Sequence, residues 1–217
     1  MTYLYKWMLP GLITPAQNKK WPVKVGEWTP EETPVLCESG WHAVQEKDVL
    51  THLPSQIGAE LWIVSVKGQR VNGDNKFCAE QMRLDQLVGT TTDQNLRLFA
   101  CDVAEDALSL IENPDPGSLK AIEVYRRYAN GEATAKELDA AYAAAAYCAD
   151  ASADAAYCAY VAASAAFIAE YAAYAAYAAA NAAARAYAAT TYASAARGAG
   201  AKKRYSNWLV VRLWEGR

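Results

Sequence analysis

The sequence predicts an α+β protein: a small α+β domain with short strands over residues 1–92, then an alanine- and tyrosine-rich α-helical bundle over residues 93–217. Three observations predict this. Runs of β-branched and aromatic residues near the N-terminus are separated by Pro, Gly and Asn. From Asn95 onward the apolar residues fall at three- and four-residue steps. Between Ala135 and Arg197 there is neither Gly nor Pro, and more than half of the residues are alanine, the strongest helix former.

In chain order, the first strand is expected in TYLYKWM, the second near VLCESGWHAV and the third in ELWIVSVKG, where Gly68 is expected to end it. Lys47 to Leu53 fits a short helix stopped by Pro54. KFCAEQMRLDQLV reads either as a strand followed by a helical turn or as one helix. In NLRLFACDVAEDALSLIEN, the residues Leu96, Phe99, Ala100, Val103, Ala107 and Leu110 share one helical face, and Pro114 lies beyond the end. Ser118 is the expected N-cap of the next helix, LKAIEVYRRYAN, and Gly131 its stop. Thr134 and Glu137 then have capping-box spacing.

The alanine-rich run is too long to stay a single rod. At about 1.5 Å per residue it would reach roughly 100 Å, far beyond a compact domain of this size. Breaks are expected near Asp150–Asp154 and Thr190–Thr191, where Asp, Ser and Thr compete for backbone hydrogen bonds. Tyr157, Tyr160, Phe167, Tyr171, Tyr174 and Tyr177 recur at helical steps, and alanine surfaces would let helices approach while these rings fill the grooves. The last segment, KKRYSNWLVVRLWEGR, is expected to form a closing helix over one end of the bundle.

With 217 residues, 53% hydrophobic and 21% charged, the chain is long and apolar enough to bury a core, which excludes a disordered protein. Alanine buries little area, so much of the apolar surface buried in the core must come from the 14 tyrosines and 7 tryptophans. A net charge of −3 with mixed signs gives no general attraction to nucleic acid or anionic lipid, and neither partner is expected. The basic residues Lys202, Lys203, Arg204, Arg212 and Arg217 suit the end of a helix. Five cysteines at irregular spacings read as free thiols in a reducing compartment, and the N-terminus lacks the pattern of a signal peptide. A cytoplasmic protein is therefore expected, in the host-cell cytoplasm if phage-encoded.

No phosphate loop, dinucleotide fingerprint, metalloprotease helix, calcium loop or nucleic-acid module is present in the sequence. The most distinctive stretch is LCESGWHA, which brings Cys37, Ser39, Trp41 and His42 together. It has three readings: a metal site completed by His52 and Cys78, a Cys37–His42 nucleophilic pair, or a turn at Ser39-Gly40 feeding a strand. The turn is the default, because the spacing matches no zinc knuckle and no group orients a base. Neither a metal nor a cofactor is expected, and no catalytic residue is assigned.

PVLCESGWHAVQEKDVL, with GDNKFCAEQMRL further on, resembles the N-terminal domain of uncharacterised proteins of bacteriophages and actinobacteria. RLFACDVAEDALSLIE, KAIEVYRRYANGEATAKELDAA and the alanine-rich run resemble the helical domain described in such proteins as an immunity protein. Here tyrosine stands where that family carries many tryptophans and arginines. The N-terminal half is also similar to ADP-ribosyltransferase folds, through LYK followed by SGWHAVQEKDVL. That family holds NAD with a His or Arg in its opening strand, where this chain has Tyr5 and Lys6.

These resemblances imply a non-enzymatic phage or bacterial accessory protein acting by stoichiometric binding, as an immunity or counter-defence factor with a protein partner or a small sequestered ligand. The alternatives are a nucleotide-handling, ADP-ribosyltransferase-like protein and a virion structural or assembly protein. If the nucleotide reading holds, a pocket forms beside Ser39–His42 and the Tyr3–Trp7 strand. Tyr5, Lys6, Cys37, Ser39, Trp41 and His42 are the candidate ligand- or partner-binding residues. Oligomeric state is left open.

Overall fold

The computed structural model of the chain describes residues 3–109, 116–141 and 194–216. It is a mixed α+β structure with two compact units, one comprising Met1–Thr91 with Ser206–Arg217 and the other Thr92–Tyr205. The strands are β1 (Leu4–Met8), β2 (Trp41–Gln45), β3 (Glu60–Asn72) and β4 (Phe77–Thr90). The helices are α1 (Asp93–Leu108), α2 (Pro116–Ala129), α3, described over 135–141, and α4 (Ser194–Glu215).

The first unit is a closed antiparallel barrel in the order β1-β2-β4-β3. Its backbone is the long β3–β4 hairpin, whose three register shifts, at Leu61/Trp62, Ile63/Val64 and Lys67/Arg70, bend it enough to close on the short β1 and β2. Two expectations are corrected here. β3 runs past Gly68 to Asn72, because the shift at Lys67/Arg70 absorbs the glycine at φ +78° and the Glu80 carboxylate accepts the Gln69 N–H at 2.8 Å. The KFCAEQMRLDQLV stretch is neither strand-plus-turn nor helix; from Phe77 on it lies in the single strand β4. Pairing with β3 along its length overrides its helical leanings.

Beyond the short contact with β2, the same side of β4 is covered by a loop. Gly26, Thr29 and Glu32 donate their N–H groups to the carbonyls of Leu84, Met82 and Glu80 at 3.0, 2.9 and 3.0 Å. Inside, Met8, Trp21, Trp41, Ala43, Val64, Phe77, Ala79, Met82 and Leu84 form the core. Trp21 meets Trp41 edge-to-face with centroids 5.1 Å apart, an arrangement the ring quadrupoles favour. Lys47–Leu53, expected to be one short helix, forms two 3-10 turns, Glu46–Asp48 and Leu50–His52.

The C-terminal segment also departs from expectation. From Ser206 onward α4 groups with the barrel unit, whereas the sequence placed this segment with the helical bundle. The Ser206 hydroxyl donates to the Lys47 carbonyl at 3.0 Å and accepts the Leu50 N–H at 3.3 Å, so it ties α4 to the 3-10 turns. Leu209 and Leu213, one turn apart, are both buried. Gly89 in β4 allows close approach, since a Cβ there would stand 2.2 Å from the Leu213 carbonyl oxygen.

In the second unit α1 begins with a reciprocal cap: Thr92 N–H donates to Asn95 Oδ1 and Asn95 N–H to Thr92 Oγ1, at 2.8 and 3.1 Å. α2 starts at Pro116, two residues before the expected Ser118 cap. Proline suits a first turn, where its missing N–H has no intrahelical partner to lose. Arg126 of α2 bridges Asp102 and Glu105 of α1 at 2.7 and 2.8 Å. Gly131 follows α2 at φ +75°, and the Thr134–Glu137 capping box opens α3, with the Glu137 carboxylate accepting the Thr134 N–H at 2.8 Å. Tyr205 donates to Asp106 at 2.6 Å, and burial, reinforced by that carboxylate, holds its hydroxyl far above its ordinary pKa.

The breaks expected near Asp150–Asp154 and Thr190–Thr191, and the aromatic pattern from Tyr157 to Tyr177, lie outside the described residues. Among the described residues no helix is long and apolar enough to cross a membrane.

Candidate ligand pocket

The pocket begins where two strands part. The β1–β2 ladder ends at the pair Tyr5–Val44. Beyond it, Lys6, Trp7 and Met8 pair with β3, while Trp41, His42 and Ala43 pair with β4. A cleft of about 210 Å³ lies there, walled by Lys6, Trp7, His42 and Ala43 and closed by Thr14–Gln17, Cys37, His52 and Lys76.

Alternation along β1 decides what enters the barrel. Leu4, Lys6 and Met8 share a face, and Leu4 and Met8 pack in the core. Lys6 follows them inward and is only 6% exposed. Its ammonium donates to the His42 carbonyl at 2.7 Å, across the gap left by the finished ladder, and lies 5.9 Å from the Trp21 ring centroid. Burial of the cation pulls the Lys6 pKa down to about 8. On the opposite face Trp7 donates its indole N–H to the Val49 carbonyl at 2.9 Å. Tyr5 is buried beside it, and desolvation, with the Glu46 charge adding to it, pushes its pKa up to about 12.

Cys37 adopts the left-handed conformation at φ +69°, which a non-glycine residue rarely takes. In that conformation its main-chain N–H donates to His42 Nε2 at 3.0 Å. The two residues proposed as a nucleophilic pair thus do meet, but through the cysteine backbone and the imidazole acceptor. Burial lowers the His42 pKa, and the positive charges of Lys6 and Lys76 lower it further, against an opposing hydrogen bond with the Gly40 backbone. His52 reaches the cleft from the second 3-10 turn, and its Nε2 is buried with no partner among the described residues.

Of the candidate residues, Tyr5, Lys6, Cys37 and His42 line this cleft. Ser39 does not; its hydroxyl donates to the Thr33 carbonyl at 2.6 Å and holds the preceding turn. Trp41 does not either; it is buried in the barrel core with its indole N–H on the Pro30 carbonyl at 3.1 Å. Among the described residues no group of three or more side chains is arranged to hold a metal ion, so the proposed Cys37, His42, His52 and Cys78 set does not assemble. Lys76 and Thr14–Gln17 were not legible as part of a site, because they come from separate turns, and His52 was read only as a possible metal ligand. The one available signal was Lys6, a lysine at an inward position of an apolar strand.

The electrostatics of the cleft are one-sided. Its walls carry Lys6, Lys76, His42 and His52, and among the described residues lining it none is Asp or Glu. A second cleft of about 440 Å³ shares Lys76 and is bordered by Asp48, Arg70, Asn72 and Asp74. The two lysine side chains in a sheltered cleft attract an anionic group. Comparison with protein-family models, with curated proteins and with solved structures finds no match to this chain.

Proposed function

We propose that this chain is a non-enzymatic accessory protein, of phage or bacterial origin, that acts by stoichiometric binding, and that its barrel sequesters a small nucleotide-like ligand as an immunity or counter-defence factor. The observation that carries the ligand half is the cleft between β1 and β2, where the buried Lys6 shares the lining with Lys76 and, among the described residues, no carboxylate. A transferase of the kind the sequence resembles needs a catalytic carboxylate at the bound nucleotide, and the described lining of the cleft offers none. That favours holding a ligand over transforming it.

The phage and immunity parts of this reading rest on the sequence resemblance. In it, the alanine-rich run folds back as a bundle that serves as scaffold, supported by its helix propensity and by a length too great for a single rod. The setting is a reducing cytoplasm, supported by the free thiols of Cys37, Cys78 and Cys101.

A thermal-shift titration with NAD, ADP-ribose and cyclic nucleotides tests the proposal. A ligand at a hundredfold excess over its Kd adds about 2.7 kcal/mol of stability, a shift of several degrees. The expected result is a dose-dependent rise with at least one of them. No shift with any, together with a specific protein recovered from host lysate, would replace ligand sequestration with protein inhibition.

A further inference from the structure

We propose that the β1–β2 cleft is a phosphoryl-binding subsite, in which Lys6, Lys76 and His52 hold a terminal phosphate or diphosphate group of the ligand. This deepens the ligand-sequestering reading and rests on it.

Size comes first. A cleft of about 210 Å³ falls below the roughly 300–1,000 Å³ of pockets that enclose a whole drug-sized molecule, so it takes a terminal group and leaves the rest of the ligand outside. Charge then selects the group. Lys6 and Lys76 both act on His42, so the two cations share one local field. Each lacks an ion-pair partner among the described residues, and the carboxylates that the walls feel, Glu46 at Tyr5 and Asp48 at His52, do not line the cleft.

A buried ammonium without a counter-charge is costly, and an anion bound beside it would offset that cost. Its one hydrogen bond, to the His42 carbonyl, fixes the Lys6 ammonium at the gap and leaves two N–H donors for an oxyanion. The buried, unpartnered Nε2 of His52 supplies a further donor as its N–H tautomer. Charged donors to a multiply charged oxyanion are the strong form of hydrogen bond, which favours a phosphoryl group over a neutral sugar or base edge. Lys76, on the border of the polar cleft walled by Arg70, Asn72 and Asp74, marks the direction in which the remainder of the ligand extends.

Isothermal titration calorimetry of the full chain with inorganic pyrophosphate, adenosine 5′-monophosphate and adenosine tests the proposal. Pyrophosphate and the nucleotide are expected to bind, and the nucleoside at least tenfold more weakly than the nucleotide. Lys6→Met and Lys76→Ala are each expected to weaken pyrophosphate at least tenfold, while the exposed control Lys67→Ala leaves it within twofold. Lys76→Ala keeps the test decisive if Lys6→Met does not fold. Pyrophosphate binding without nucleotide binding would support the subsite while failing the nucleotide-like reading. Nucleoside and nucleotide binding equally, or pyrophosphate unaffected by both lysine substitutions, would overturn the subsite and leave ligand sequestration standing. No heat with any of the three overturns the subsite.

Discussion

Lys6→Met separates the cost of the buried ammonium from everything else in the barrel. Methionine keeps the linear stem of lysine and removes only the charge and its hydrogen bonds. In the folded protein the Lys6 pKa falls from 10.5 to about 8, because the cleft desolvates the ammonium. A group whose folded pKa lies below its unfolded value binds its proton less well when folded, so the penalty is complete below pH 8, shrinks as pH rises and is gone above about pH 10.5. The shift corresponds to about 3 kcal/mol, most of which disappears between pH 7 and pH 10. The wild-type protein should therefore gain about 2 kcal/mol or more on Lys6→Met over that interval. Tyr5, which burial carries to about 12, also titrates differently in the folded and unfolded chain, but it is common to both proteins and drops out of the difference. Urea unfolding of both proteins at pH 7, 8, 9 and 10, followed by tryptophan fluorescence, measures the gap. A difference flat to within about 0.5 kcal/mol would refute the assignment of Lys6 as a desolvated cation.

Two further predictions concern the two units separately. Gly89→Ala puts a Cβ against the Leu213 backbone and should destabilise the barrel unit by about 3 kcal/mol; urea unfolding within about 0.5 kcal/mol of wild type would show that α4 does not pack there. Thr134→Ala removes the hydroxyl that accepts the Glu137 N–H at 3.2 Å and should cost about 1 kcal/mol, read as a lower helical melting midpoint by circular dichroism. A midpoint unchanged by Thr134→Ala would show that the capping box does not hold the start of α3.

Local chemistry was legible where it acts over a few residues. Thr134 and Glu137 meet in the capping box their spacing implies, and Gly131 takes the positive φ that ends α2. Tyr3 to Met8 and Glu60 to Val66 are strand-rich as their side chains suggest. Longer-range outcomes were not legible. KFCAEQMRLDQLV has a periodicity compatible with helix, and only pairing with β3 and the Gly26–Glu32 loop makes it extended. Trp41 looked like a site residue beside His42, but the barrel core takes the ring, as strand alternation turns neighbours to opposite faces.

By itself the sequence determined the mixed α+β class, the places of the first three strands though not the end of the third, the Gly131 stop, the Thr134–Glu137 cap and the stretch LCESGWHA as a place of interest, because propensity, capping and turn chemistry are settled within about a turn of chain. The tertiary structure decided which residues form the cleft. Lys6, His42, His52 and Lys76 come from β1, β2, a 3-10 turn and the β3–β4 turn. They share a wall only because the β1–β2 ladder ends at Tyr5–Val44 and the barrel closes around the gap. Lys6 could be read from the sequence as a lysine in an apolar strand; its desolvation, and hence its role, follows from burial that only barrel closure supplies.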